Sequence, residues 1–357
     1  SLASLQSQNI VFKKWTPEEA GLYYFTFYCQ VPGDLNSSND SLSIRVQVIA
    51  FVTFTDVTEI SGVGTRGNNH GIAFGDYDND GDLDIYVTKG NYESNILYQN
   101  NGDGTFTDVT YIAGVGDFGY GYHSVFGDYD NDGDLDLYIA NANMPNVLYQ
   151  NNGDGTFTDV TTFAGVGDAG YSRSVVFADL NNDGYLDIYV AKAANQANIL
   201  YRNNRDGTFS DVSNVAGVAD QSYSASVVCG DYNNDGFLDI YIANFRGEAN
   251  VLYRNNGDGT FTNVTKIAGV GDSGWGHSAA FGDYDNDGFL DIYVVNYKEH
   301  PNVLYHNNGD GTFTDVTEAA GVGNIQYGRG VTFADFNNDG NLDIYVSNSG
   351  RNVFYSN

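Results

Sequence analysis

The chain has 357 residues and a formal net charge of −31, with 46 Asp and Glu against 15 Lys and Arg. Such a surface repels phosphate, which excludes nucleic acid as a partner because binding there needs a basic face that releases counterions. A hydrophobic fraction of 41% with 15% aromatics excludes a solvated acidic tail. No apolar run approaches the ~20 residues of a membrane span, and residues 1–15 do not read as a signal peptide. With 44 Gly and only 4 Pro, short strands joined by tight turns are expected rather than long helices. The two cysteines, Cys29 and Cys229, have the spacing of neither a disulfide framework nor a zinc site.

In chain order, residues 1–50 come first and stand apart from the rest. NIVFKKW, GLYYFTFYCQV and SLSIRVQVIAF read as three antiparallel strands, and the turn EEAGLYY, with Tyr23, resembles the tyrosine corner of an immunoglobulin-like β-sandwich. Three strands are too few to bury two sheet faces, so this segment is expected to be part of a sandwich. Orphan strand edges invite pairing with a neighbouring molecule, and self-association through residues 1–50 is one expected use of it.

From residue 51 onward the chain repeats. FGDYDNDGDLDIYV begins at Phe74, and variants begin at Phe126, Phe177, Cys229, Phe281 and Phe333. The first Asp of each copy is Asp76, Asp128, Asp179, Asp231, Asp283 and Asp335, in steps of 51 or 52 residues. Each unit reads as four strands, as in SVVF (174–177), LDIYV (186–190), NILYR (198–202) and TFSDVS (208–213), the last two joined by an Asp-Gly hairpin turn. Four antiparallel strands per unit is the pattern of a propeller blade. The expected fold is therefore all-β, a six-bladed β-propeller over residues 51–357, preceded by the partial sandwich at 1–50. FVTFTDVT, residues 51–58, matches a fourth strand without the three before it, and is expected to complete the last blade and close the ring.

The turn between the first two strands carries the chemistry. Asp76, Asp78, Asp80, Asp82 and Asp84 occupy positions 1, 3, 5, 7 and 9, with Gly81 at position 6 where the chain reverses. The corresponding sets are Asp128, Asp130, Asp132, Asp134 and Asp136; Asp179, Asn181, Asp183, Tyr185 and Asp187; Asp231, Asn233, Asp235, Phe237 and Asp239; Asp283, Asp285, Asp287, Phe289 and Asp291; and Asp335, Asn337, Asp339, Asn341 and Asp343. Position 7 varies freely, as a ligand offering only its backbone carbonyl would. Positions 1, 3, 5 and 9 supply four carboxylates in three loops and three in the other three, 21 of the 46 acidic residues. Two carboxylates about 4 Å apart repel by roughly 4 kcal/mol at an effective dielectric of about 20. Purely structural acidic turns would bear that cost six times over, whereas a hard cation seeking six to eight oxygens relieves it. About six calcium ions, one per blade, are expected, magnesium being poorly served by a flexible, protein-only cage. An EF-hand is excluded, since position 12 of the first loop is Val87 and a β-type run follows.

These loops, the Phe-Gly pairs at 74–75, 126–127 and 281–282 and the NNGDGTF hairpins resemble the FG-GAP/VCBS-repeat calcium-binding propellers, which include integrin α-subunit heads and cartilage-acidic-protein-like proteins. The chain departs from that pattern in lacking the Gly-Ala-Pro triplet and in placing Cys229 where a Phe recurs. Residues 1–50 are similar to the tail of a CARDB-type sandwich. The resemblance implies extracellular or cell-surface recognition or adhesion and names no ligand; the leading expectation is a non-catalytic calcium propeller that binds a glycan or protein.

The opposite face is read by counting back from each first Asp. Eight residues back lie Asn68, Tyr120, Tyr171, Tyr223, Trp275 and Tyr327; six back lie His70, Tyr122, Arg173, Ala225, His277 and Arg329. These residues are expected to ring the channel mouth, where aromatics beside Arg and His suit a sugar or a carboxylate. Lys89, Lys192, Arg246, Lys298 and Arg351 are expected on the same face. Asn95, Asn146, Asn198, Asn250, Asn302 and Asn352 precede the third strands and are expected to satisfy turn backbone. A surface-fibre subunit assembled through residues 1–50 is the alternative reading. A polysaccharide lyase is the weaker one, since no paired acid and base stands at a defined spacing.

Overall fold

The computed structural model describes residues 55–357, together with the backbone of 21–28 and 41–48. The chain divides into two units, Ser1–Val57 and Thr58–Asn357. In the first, Gly21–Tyr28 and Ser41–Val48 form an antiparallel hairpin with Gly21 opposite Val48. The third expected strand and the tyrosine corner's turn residues lie outside the described residues.

The second unit is a six-bladed β-propeller. Blade 1 runs Asn69–Gly75, Asp84–Lys89, Ile96–Asn100 and Phe106–Asp108, paired in that order, and four further blades repeat the meander. Blade 6 has three strands among the described residues: Gly328–Ala334, Asp343–Asn348 and Val353–Tyr355. The expected strand over 51–58 needs correction. Residues 55–57 carry no strand and Thr58–Ser61 is one turn of helix, while 51–54 lie outside the described residues. The same helical turn follows each complete fourth strand, as at Thr110–Ala113, which ends at Gly114 with φ of +78°. Its start is set by Asp108, whose Oδ1 accepts from the Thr110 amide at 3.1 Å, so the FTDVT pattern is strand only through its Asp.

Apolar residues of neighbouring blades merge into five clusters, one at each junction from blades 1 and 2 to blades 5 and 6. Tyr86, Tyr138, Tyr189, Tyr241 and Tyr293 pass through these junctions fully buried, each hydroxyl donating to a backbone carbonyl, as Tyr86 does to Val115 at 2.8 Å. The seam between blades 6 and 1 is looser: Tyr345 is 36% exposed, and Phe74 and Ile72 are more than half exposed. The pre-strand asparagines act as expected. Asn95 Oδ1 accepts from the Lys89 amide at 2.7 Å, and the equivalents Asn146, Asn198, Asn250, Asn302 and Asn352 do the same.

Candidate functional site

Each loop between the first two strands of a blade is a tight acidic turn held by its own carboxylates. In blade 1, Asp76 Oδ1 and Oδ2 accept from the amides of Asp80 and Gly81, both at 3.0 Å, and Asp80 Oδ1 accepts from the Asp82 amide at 2.9 Å. The same bonds recur from Asp128, Asp179, Asp231, Asp283 and Asp335. Position 7 donates its amide to the position 5 carboxylate throughout, from Asp134, Tyr185, Phe237, Phe289 and Asn341 to Asp132, Asp183, Asp235, Asp287 and Asp339. Position 9 is the buried hub. Asp84 accepts from the Asn100 amide at 2.7 Å and from the Tyr77 amide at 3.1 Å, tying loop to third strand. Burial, followed by the neighbouring loop carboxylates, pushes position 9 up from the ordinary carboxylate range: Asp84, Asp187 and Asp291 to about 6, Asp239 to about 7 and Asp136 to about 8.

The loops differ in how many carboxylates converge. Asp76, Asp78 and Asp84 bring ligand oxygens within 4.8 Å of one another, as do Asp128, Asp130 and Asp136, and Asp283, Asp285 and Asp287. Asp78 Oδ1 and Asp130 Oδ1 are buried with no hydrogen-bond partner. A cation would fit there: a converged carboxylate set with an orphaned oxygen has the donor chemistry of a hard-cation site. The three loops with Asn at position 3, Asn181, Asn233 and Asn337, form no such triple among the described residues. Sequence reasoning missed His306, whose Nδ1 lies 3.2 Å from Asp285 and 3.4 Å from Asp291. It stands at the third-strand position where Gln99 and Gln150 donate to Asp78 and Asp130, each at 2.6 Å. It also missed position 4, an Asn in every copy. Asn79, Asn131, Asn182, Asn234, Asn286 and Asn338 take φ between 54° and 60°, and the first five donate to a glycine carbonyl in the next blade's loop.

At the channel mouth the residues six back converge. His70, Tyr122, Arg173, Ala225, His277 and Arg329 line one cavity of about 650 Å³, together with Asn68 and His123. The Arg173 guanidinium lies 4.7 Å over the Tyr122 ring, and His70 lies 4.6 Å from the same ring. The aromatic residues eight back stand outside the cavity. Tyr120 packs on His70, and Tyr171 meets Tyr122 hydroxyl to hydroxyl at 3.0 Å. Arg246 covers Tyr223, Lys298 covers Trp275, and Tyr327 meets Tyr297 edge to face. The partners Phe245 and Tyr297 come from loops between second and third strands and were not foreseen. Two of the cations expected on this face are ion-paired: buried Lys89 with Glu93 at 2.8 Å and buried Lys192 with Asp168 at 2.7 Å. Arg351 is exposed.

The FG-GAP-like repeat family matches this chain over residues 44–87, 87–139, 128–190, 185–242, 231–294 and 289–346. The chain is a member of the FG-GAP-repeat family. Cartilage acidic protein 1 of Homo sapiens is 33% identical over 254 residues, 62% of this chain and 38% of the relative, so the chain spans well under half of that protein. Integrin alpha-7 of Mus musculus is 30% identical over 143 residues, 35% of this chain and 12% of the relative. Among solved structures, an Agrocybe aegerita lectin that recognises non-reducing terminal N-acetylglucosamine superimposes with a TM-score of 0.51 at 22% identity, covering 81% of this chain and 79% of that one. That likeness is one of fold. No helix among the described residues is long and apolar enough to cross a membrane.

Proposed function

We propose that this FG-GAP propeller is a non-catalytic recognition module of the extracellular space or cell surface, stiffened by calcium and binding a glycan or protein at its channel mouth. The observation that carries the reading is the convergence of Asp76, Asp78 and Asp84 with Asp78 Oδ1 buried and unpartnered, repeated at Asp128, Asp130 and Asp136. The carboxylates at positions 1, 3, 5 and 9 and the position 7 carbonyl would hold the ion, in the loops starting at 76, 128 and 283 first. When bound, calcium supplies positive charge and extra oxygen coordination, without redox chemistry. Six divalent ions would bring the formal charge from −31 to about −19. Extracellular calcium sites work with dissociation constants of about 10⁻⁴ to 10⁻³ M, which millimolar external calcium fills.

The loops and the channel mouth lie at opposite ends of the first strands, so fixing one leaves the other free for a ligand. The test is thermal unfolding in 2 mM calcium against excess EGTA. A lower melting temperature in EGTA, restored by added calcium, is the expected result, and superimposable curves overturn the calcium reading.

A further inference from the structure

This very acidic chain leaves two guanidinium groups facing one cavity without a carboxylate. The channel-mouth cavity is lined by Arg173, Arg329, His70, His123, His277 and Tyr122, and no Asp or Glu belongs to its wall. Its volume of about 650 Å³ lies within the range of about 300–1,000 Å³ usual for small-ligand sites. Neither arginine takes part in an ion pair among the described residues, whereas Lys89, Lys192 and Arg205 each do. Arg173 Nε is buried and has no hydrogen-bond partner. A buried charged donor without an acceptor is costly unless something else supplies the acceptor.

The histidines add no charge to the cavity, and His277 helps to hold Arg329 in place. Arg329 Nη1 lies 3.3 Å from His277 Nε2, and His277 Nδ1 lies 2.9 Å from the Arg329 carbonyl. Both contacts are met by one state, the neutral imidazole with its proton on Nδ1, which donates to the carbonyl and accepts from the guanidinium. Burial and the charges of Arg173 and Arg329 hold His277 down at about 4, and act in the same direction on His70. The positive charge of the cavity thus resides on the two arginines. Arg329 Nε is already engaged by Ser349 Oγ at 2.7 Å, which fixes its position, while Arg173 lies over the Tyr122 ring and makes no ion pair among the described residues.

We propose that this cavity binds the carboxylate of an acidic sugar residue, with Arg173 as its principal partner, Arg329 as the second cation, and the sugar ring resting against the Tyr122 and His70 faces. The proposal rests on the channel mouth being the recognition face and names its ligand class. An acidic sugar presents a planar anion and a C–H face a few ångströms apart. The site presents a guanidinium 4.7 Å over Tyr122, with the His70 ring 4.6 Å from that same ring. A carboxylate suits the planar guanidinium fork, and pyranose C–H faces pack on aromatic rings as apolar surface does. An acidic peptide offers the anion on a flexible stem without the flat apolar face, and is the competing ligand class in the test.

The test is calorimetric titration of the full chain in 2 mM calcium with four probes: a trisaccharide ending in glucuronic acid, its methyl ester, the trisaccharide ending in glucose, and a tri-glutamate peptide. The acid is expected to bind, and the ester and the neutral sugar to bind at least ten-fold more weakly. Arg173→Gln should lose at least ten-fold for the acid and leave the melting temperature unchanged. Arg329→Gln, at an exposed position, guards against a folding artefact at Arg173 and should lose several-fold. Equal affinity for acid and ester, no binding of the acid, or binding undiminished in both variants overturns the proposal. So does tri-glutamate binding as tightly as the acid. If the neutral sugar alone binds and Tyr122→Ala abolishes it, the recognition face stands and only the carboxylate assignment falls.

Discussion

Asn151 ends the third strand of blade 2 and holds two blades together through one amide group. Its Nδ2 donates to the Tyr77 carbonyl in the blade 1 loop at 2.7 Å and to the Leu135 carbonyl in its own loop at 3.1 Å. The residue is 2% exposed. Asn151→Ala keeps the backbone amide bond to Asp136 but leaves two carbonyls short of a donor in a place water reaches poorly; it also frees the Gly153 amide from Asn151 Oδ1, a loss that Asn100→Ala shares at Gly102. Each deprived buried group costs about 1–3 kcal/mol, and partial relaxation brings the sum to about 2–4 kcal/mol. Asn100 is the matched control, because among the described residues its Nδ2 serves only the Leu83 carbonyl, at 3.0 Å and open to solvent. Asn100→Ala should cost less than about 1 kcal/mol. At roughly 2 cal/mol/K per residue over a propeller of about 300 residues, the unfolding entropy is about 0.6 kcal/mol/K. Asn151→Ala should therefore lower the melting temperature by about 3–7 °C and Asn100→Ala by less than about 2 °C. Scanning calorimetry of both variants in millimolar calcium decides it. Equal shifts would refute the claim that blade-to-blade bonds, rather than bonds within each loop, carry this energy.

Two further outcomes follow from the loops. In EGTA, stability should fall as pH rises from about 4 to about 8. Over that window the folded state keeps protons on Asp84, Asp136, Asp187, Asp239 and Asp291, raised by burial to between about 6 and about 8, while the unfolded chain has released them. Each group contributes up to about 1.4 kcal/mol per pH unit, and urea midpoints at pH 5 and 7.5 that are equal or rising would contradict it. Arg205→Ala removes the cation 2.9 Å from Asp183; because Arg205 is exposed, the melting temperature should move by no more than about 2 °C, while terbium bound near Tyr185 should tighten. Unchanged terbium affinity would show that Arg205 does not neutralise that loop.

The blades were legible because their signals are local. A 51- or 52-residue step, an Asp-Gly hairpin and alternating apolar strands each lie within a few residues. The acidic loops were legible for the same reason, as oxygen-bearing residues at every second position of one turn. What joins blades was not. Position 4 Asn was visible in all six loops, yet its use is a bond to a carbonyl 53 or 54 residues away. Four-residue helical turns are too short to show a 3.6-residue period, so only the Asp two residues before Thr110 marks one. At the channel mouth, counting back from the Asp picks out residues that line one cavity because first-strand geometry is constant. Phe245 and Tyr297 sit in loops that differ from blade to blade and escaped that count.

In blades 1 to 5 charge is matched across the loop rather than along it; blade 6, with Asn337 at position 3 and Ser356 at the third-strand position, is the exception. Where position 3 is Asp, the facing third-strand residue is a glutamine or a histidine rather than an arginine: Gln99 on Asp78, Gln150 on Asp130, His306 on Asp285. Where position 3 is Asn, the same third-strand position is Arg202 in blade 3 and Arg254 in blade 4, and blade 3 adds Arg205 on Asp183. A loop with four carboxylates and a neutral neighbour has charge that only an added cation relieves. A loop with three and an arginine beside it carries part of that relief in its own chain. The carboxylate triples fall in the first class alone. On the calcium reading, then, the six loops are not equivalent sites. Blades 1, 2 and 5 should bind the ion more tightly, while blades 3 and 4 should hold their loops partly by arginine and tolerate its loss.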